Sequence, residues 1–170
     1  MKARIALFLA VGLLWTAADL ATKSWAHEKF SRGQKVPVMK FLNWTSSENK
    51  GAAFGLLDSA AWGRPFLTFV SIAAIVFLFW LVIRTDDRPM VTAATLGLVL
   101  GGVVGNVYDR MTNVNGAVRD FIDFHIGDWH WHTFNIADSG ITVGVLLLLL
   151  LGVLPRKRAA PAEEPHPAHR

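Results

Sequence analysis

The sequence predicts a mainly α-helical membrane protein: a bundle of four transmembrane helices with a small extracytoplasmic β-sheet cradle and a short surface helix or loop. Three observations predict it. Hydrophobic residues make up 52% of the 170 residues. The charged residues are not dispersed but gather between long apolar blocks. Each block approaches the roughly 20 residues that a helix needs to cross about 30 Å of hydrocarbon.

The blocks run over about 5–25, 66–83, 91–107 and 136–154, with Trp25, Trp62 and Tyr108 near block ends, where interfacial aromatics belong. The expected organisation is a single integral membrane domain over 1–155, with extracytoplasmic segments at about 27–64 and 109–135. A disordered cytoplasmic tail over 156–170, rich in Pro and Ala, follows. Four spans put both termini on one side. Lys2, Arg4, Arg84, Arg88, Arg156, Lys157 and Arg158 sit densely at helix ends. Lys29, Arg32, Lys35, Lys40, Lys50, Arg64, Arg110 and Arg119 are spread through longer segments. Dense charge at helix ends is the stronger topological signal, so both termini are expected in the cytoplasm of a multi-pass membrane protein. The start "MKARIALFLAVGLLWTAADLA" has the layout of a secretory signal peptide, but Asp19 and Lys23 interrupt its end in a way that a cleavage region does not require. It is read as the first span.

There is no cysteine, which removes disulfides, thiol nucleophiles and cysteine-ligated metals together. The net charge of +4 comes mostly from helix-flanking Lys and Arg, with no basic stripe interleaved with aromatics. Nucleic acid is therefore not an expected partner.

Between the first two spans, "GQKVPVMKFLNWTSS" puts Val36, Val38 and Leu42 on one parity and Lys35, Pro37 and Asn43 on the other, predicting a short strand or two at the membrane surface. "ENKGAAFGLLDSAAWGRP" reads as a glycine-bounded loop and a short amphipathic turn before Pro65, resting on the bilayer. Gly97, Gly101 and Gly105 recur every four residues, with Gly102 beside them, and predict close helix packing. Beyond the third span, a turn at Asn115 and Gly116 precedes a strand from about Ala117 to His125. A tight turn at Gly127 and Asp128 and a return through Trp129 to Phe134 complete that segment.

Ionisable groups at membrane depth are costly and so are functional candidates. They are Asp19 and Lys23 on the first span, Asp109 and Arg110 at the end of the third, and Asp138 at the start of the fourth. In the four-span topology all three helix ends share one side. Asp19 and Lys23, one turn apart in acid-first order, predict a mutually neutralising ion pair. Asp120 and Asp138 differ, because neither has a basic residue one turn away on its own helix. If the intervening segment folds back they meet, cannot both ionise, and retain one proton between them. One carboxylate then takes a proton from water while the other, protonated, polarises a carbonyl. The plainer roles are a helix N-cap for Asp138 and a solvated strand position or an Arg119 partner for Asp120. Asp123 and Asp128 are decoys of similar appearance.

A metal reading rests on His125, Asp128, His130 and His132, which crowd into eight residues, with His130 and His132 on one strand face. The ligand types suit zinc, but no His-Glu-x-x-His helix accompanies them, and neither a metal nor another cofactor is expected. A transporter or proton relay is the alternative function, since intramembrane carboxylates also mark ion paths. A third is an assembly factor using the glycine face.

With these residues in place, the chain resembles lipoprotein signal peptidase, or signal peptidase II, the bacterial family of intramembrane aspartic peptidases. "DLATK" (19–23), "ENKGAAFG" (48–55), "GGVVGNVYDR" (101–110), "VRDFIDF" (118–124) and "FNIADSGI" (134–141) carry the resemblance, in the family's order, from about Ala3 to Leu154. It implies that Asp120 and Asp138 are the catalytic pair. It implies that Asn49, Gly51, Asn106, Arg110 and Asn135 surround the substrate backbone and the aspartates, with Asp19 and Lys23 supporting the site. It also implies a diacylglyceryl-prolipoprotein substrate, cut N-terminal to the lipidated cysteine, membrane lipid as the other partner, a monomer in the bilayer and inhibition by the cyclic peptide globomycin. Lys50, Arg119 and "HIGDWHWH" depart from the pattern, and Arg119 would lower the pKa of Asp120 if it lay close.

Overall fold

The structure is a computed structural model that describes residues 1–50, 62–85 and 87–153. The element order is α1 (Lys2–Lys29), β1 (Lys35–Met39), β2 (Leu42–Asn49), α2 (Gly63–Arg84), α3 (Met90–Thr112), β3 (Val118–Ile126), β4 (Trp129–His130) and α4 (Ile136–Val153). By length and composition α1, α2 and α3 are apolar enough to cross a membrane, and α4 is a shorter apolar helix. The chain is thus a mainly helical membrane-type protein with a small antiparallel sheet. Gly51, the "GAAFG" loop and the 156–170 tail lie outside the described residues.

α1, α2 and α3 exceed the predicted blocks. Polar residues that a hydrophobicity argument trims away continue the helices: α1 carries on to Lys29 and α3 to Thr112. α2 starts at Gly63, so Pro65 sits in its first turn, where an absent N–H costs nothing.

α3 is the central helix and packs against each of the other three. Fourteen of its 23 residues are buried, against three in α2. Its small residues make this geometry. A Cβ on Gly97 would sit 3.0 Å from Val11 Cβ, and one on Gly101 would sit 2.6 Å from both Gly12 O and Trp15 Cβ. Gly102, on the adjoining face, would meet Ala137 and Ile141 of α4. The glycine spacing therefore serves two interfaces: Gly97, Gly101 and Gly105 accept α1, and Gly102 accepts α4. The apolar core between helices is Phe8, Leu78, Val82, Ala93, Leu96, Val99, Leu100, Val103 and Val107. Near the chain start, Arg4 is buried and donates to the carbonyls of Arg88 and Pro89, tying α1 to the α2–α3 connection.

The four strands form one antiparallel sheet in the order β1-β2-β3-β4. Its inner face packs on the end of α1 through Ala26, Phe30, Phe121 and Ile122, with Trp44 edge-on to Trp25 at 5.8 Å. The alternation expected for Val36 and Val38 fails. A register shift between Pro37 and Met39 leaves Val38 exposed while Val36 reaches the core, since an irregularity in the ladder re-aims the side chains that follow. The return strand is also shorter than predicted. β4 holds only Trp129 and His130, after which a single bridge joins Phe134 to Ile122, so His132 does not share a strand face with His130.

Replacing Gly101 by Ala should lower the thermal unfolding midpoint in detergent, by a destabilisation of about 1–3 kcal/mol from overpacking. Gly152→Ala, whose Cβ would meet nothing within 4 Å, should leave the midpoint unchanged or raised.

Candidate active site

The site is assembled around the N-terminus of α4. Asn135 precedes the helix; its carbonyl accepts from Ser139 N at 3.2 Å and its Oδ1 accepts from Asp138 N at 2.9 Å. Asp138 Oδ2 in turn accepts from Asn135 N at 3.3 Å. This is a reciprocal capping box, so the cap is Asn135 and Asp138 is the third helical residue. The plainer role considered for Asp138, that of the N-cap, is corrected accordingly. Asp19 of α1 supplies a further cap: its Oδ1 accepts from Ala137 N at 2.8 Å, placing a carboxylate where helix N–H groups lack partners.

Asp19 also pairs with Lys23 at 2.7 Å, one turn on, as their spacing predicts. Both are fully buried, and Lys23 Nζ lies 3.4 Å from Asp109 of α3. Asp109 is the anchor of Arg119, accepting from its backbone N at 3.0 Å and from its guanidinium at 2.6 and 3.1 Å. The sequence reading that offered Arg119 as a partner for Asp120 is therefore corrected. Adjacent strand residues point to opposite faces, and Arg119 is turned toward Asp109 and Ser24.

Asp120 comes from β3, paired with Ser47 of β2, and is 1% exposed. Its Oδ1 accepts from Asn135 Nδ2 at 2.6 Å, and the Asn49 side chain also hydrogen-bonds to this carboxyl. Asn106 of α3 reaches Asp138 Oδ1 with its Nδ2 at 2.7 Å and accepts from Lys23 Nζ at 2.9 Å and from Asn135 Nδ2 at 3.2 Å. Asn135 thus bonds to both aspartates. Burial, and then the negative charge of Asp138, push the Asp120 carboxyl up to about 8 from its ordinary 3.8; the Asn49 and Asn135 amides act the other way.

A cavity of about 580 Å³ opens beside Asp138, walled by Asn49, Arg110, Trp131 to Phe134, and Ser139, Thr142 and Val143. Of the residues proposed from the sequence, Asn49, Arg110 and Asp138 line it. Asn106, Asn135, Asp120, Lys23 and Asp19 stand behind, in one connected hydrogen-bonded network. The sequence reading missed Trp131, Thr133, Phe134, Ser139, Thr142 and Val143. The i, i+3 and i+4 spacing from Asp138 and Ser139 marks the last three as one helix face, a signal present in the sequence.

The histidine segment does not converge on one point. His130 Nδ1 is 2.7 Å from Asp123 Oδ1, and Lys35 and Asn43 also reach Asp123, holding its carboxyl below the usual range against the opposing effect of burial. His125 stacks on His130 with centroids 5.0 Å apart, and His132 turns to Thr133 O at 2.9 Å. Among the described residues no group of three or more His, Asp or Glu is arranged to hold a metal ion.

A sequence model of the family described as Signal peptidase (SPase) II matches residues 11–154. The chain belongs to the signal peptidase II family. Lipoprotein signal peptidase of Yersinia enterocolitica is 40% identical over 158 residues, spanning 92% of this chain and 89% of its own. The same-named proteins of Francisella tularensis subsp. novicida and Ralstonia nicotianae are 38% and 40% identical, spanning 89% and 84% of this chain and 94% and 82% of their own. Two solved structures, each described as a bacterial membrane enzyme structure by the in meso method, superpose with TM-scores of 0.75 and 0.76 at 30% identity. They cover 86% and 88% of this chain and 87% and 94% of their own. Membership in signal peptidase II makes this chain a protease.

The raised Asp120 carboxyl has a consequence for stability. Between 3.8 and about 8 the folded state keeps a proton that the unfolded chain has released, so this group's contribution falls as pH rises through that window. Asp120→Asn should flatten the wild-type decline in unfolding midpoint between those limits, measured in detergent across a pH series.

Proposed function

We propose that this protease is an intramembrane aspartic endopeptidase with Asp120 and Asp138 as its catalytic pair, removing the signal peptide from diacylglyceryl-modified prolipoproteins by cutting N-terminal to the lipidated cysteine. The observation that carries the reading is Asn135, which donates to Asp120 at 2.6 Å while capping with Asp138. Two carboxyl groups held on one asparagine, one of them beside a cavity, form a pair that keeps a single proton near neutral pH. The carboxylate withdraws a proton from water, and the acid polarises the scissile carbonyl. Asn49 and Arg110 offer polar groups to the peptide backbone along the cavity wall, and Gly51 belongs to the same proposal.

The membrane placement fits the substrate. The 18 residues of α4 extend roughly 27 Å at 1.5 Å per residue, close to the hydrocarbon thickness, which supports a fourth span. We place 1–155 as one membrane domain of the bacterial inner membrane with both termini cytoplasmic and the sheet and site at the extracytoplasmic face. Acyl chains then stay in hydrocarbon while the peptide reaches the aspartates, and the membrane aligns the reactants. The enzyme acts as a monomer among lipids, and globomycin is its expected inhibitor. The transporter reading is not favoured: Asp19, Lys23, Asp109, Asp120 and Asp138 gather in one network, and α3 carries no ionisable residue between Met90 and Tyr108.

Purified protein incubated with diacylglyceryl-modified prolipoprotein should release the signal peptide. Asp120→Asn and Asp138→Asn should each slow release by roughly 10²–10⁴-fold or more. Undiminished cleavage in both variants overturns the proposal, as does no cleavage by the wild type. Activity should fall as pH rises past about 8, where the proton on Asp120 is lost, and chelators should leave it unchanged.

A further inference from the structure

A single peptide group of α4 is held at both ends by α1. Ile136 and Ala137 share one planar amide, whose carbonyl and N–H point in opposite directions along the helix. Trp15 Nε1 donates to the Ile136 carbonyl at 3.0 Å, and Asp19 Oδ1 accepts from Ala137 N at 2.8 Å. Trp15 and Asp19 are one turn apart and so share a face of α1. One hydrogen bond alone would leave α4 free to pivot about it. Two bonds to opposite ends of a rigid plane remove the pivot, so the height and the rotation of the first turn are set together.

Two glycines make room for the indole. A Cβ on Gly101 of α3 would sit 2.6 Å from Trp15 Cβ, and one on Gly140 of α4 would sit 2.8 Å from both Cδ1 and Cε2 of the ring, and closer still to Nε1. Gly140 is also the residue whose N–H an α-helix directs at the Ile136 carbonyl. That oxygen has two lone pairs and accepts from the backbone and the indole alike, but the ring reaches it only across a residue with no side chain. An indole N–H left without an acceptor among apolar helices is costly, so ring and glycine hold each other in place.

Asp138 is the residue that follows this peptide group. Its Oδ1 accepts from Asn106 Nδ2 at 2.7 Å, and it borders the cavity. Asp120 is carried separately by β3, so any turn or slide of the α4 start shifts one carboxyl relative to the other.

We propose that Trp15, seated on Gly140, is a positioning residue for proteolysis: through the Ile136–Ala137 peptide it sets Asp138 in register with Asp120. This rests on the peptidase reading for the reaction it serves, while the hold on α4 stands on the two hydrogen bonds. Trp15 acts through the backbone of α4 and not on the substrate.

Trp15→Phe removes the N–H and keeps an aromatic ring. In cleavage of diacylglyceryl-modified prolipoprotein it should lower kcat about tenfold or more with KM unchanged, since small misplacements of reacting groups are costly. Amide hydrogen exchange of the full chain in lipid nanodiscs should quicken in the first turn of α4. Gly140→Ala should do the same, and in the double variant Trp15→Leu, Gly140→Ala the two losses should not multiply, because both break one contact. Gly144→Ala, which crowds Val99 of α3 one turn further on, is the packing comparison: its unfolding midpoint should fall and its kcat should not. Wild-type kcat in Trp15→Phe, a loss confined to KM, unchanged exchange in that turn, or a kcat that follows the midpoint in Gly144→Ala overturns the proposal. Should the Trp15 variants fold poorly, nuclear magnetic resonance of the ¹⁵N-indole-labelled wild type decides: the Trp15 Nε1 proton must be protected from exchange, and free exchange overturns the hold. If the wild type cleaves nothing, the peptidase reading falls, and the exchange measurements still decide whether Trp15 fixes the start of α4.

Discussion

One buried ammonium organises the end of the bundle where the site lies. Lys23 is 0% exposed and lies among Asp19 of its own helix and Asp109 and Asn106 of α3. An isolated ion in that position would cost several kcal/mol even after relaxation, so the charge persists only because acids on two helices surround it. Arg119 supplies the second cation, and with Asp19, Asp109 and Lys23 it makes a cluster of two acids and two bases. Such a cluster tolerates little sliding of α1 along α3, because a shift of one residue would separate groups now within 2.6–3.4 Å of each other.

The glycines make this approach sterically available. Gly105 lies directly against the Asp19 carboxyl, and Gly97 and Gly101 bring the backbones of α1 and α3 together over the preceding turns. The other carboxylate oxygen of Asp19 caps α4 through Ala137, so the same charge cluster sets the height at which the last helix begins. Trp15 fixes that height a second time by donating to Ile136 O at 3.0 Å. Asp138 is thus carried to its place by α1 and α3, neither of which contributes a carboxylate to the proposed pair.

Asp120 arrives by a different route. The turn at Asn113 to Gly116, with Gly116 at a φ of 63°, reverses the chain after α3, and the Arg119–Asp109 contact pins the first residues of β3 to that helix end. Strand parity then turns Asp120 away from its cationic neighbour Arg119 and toward Asn135. The departure from the family pattern at Arg119 therefore does not alter the charge at Asp120. It serves the scaffold. The "HIGDWHWH" segment is likewise divided: His125 and His130 belong to the Asp123 cluster on the sheet, while Trp131 and His132 border the cavity.

Much of this was legible in the chain itself. The apolar blocks, the four-residue glycine spacing and the Asp19–Lys23 interval are periodic signals, and a helix converts period into a face with no help from distant residues. The choice of Asp120 and Asp138 over Asp123 and Asp128 came from resemblance of motifs, since spacing could not separate four similar acids. The tertiary structure alone decided which partner each acid takes: Asp123 has Lys35, Asn43 and His130, Asp109 has Arg119, and Asp120 and Asp138 have a shared asparagine. Those partners come from strands and helices far apart in sequence. Burial and hydrogen-bond polarity, which distinguish one carboxyl from another, are properties of what surrounds a residue in space and have no local trace in the order of the chain.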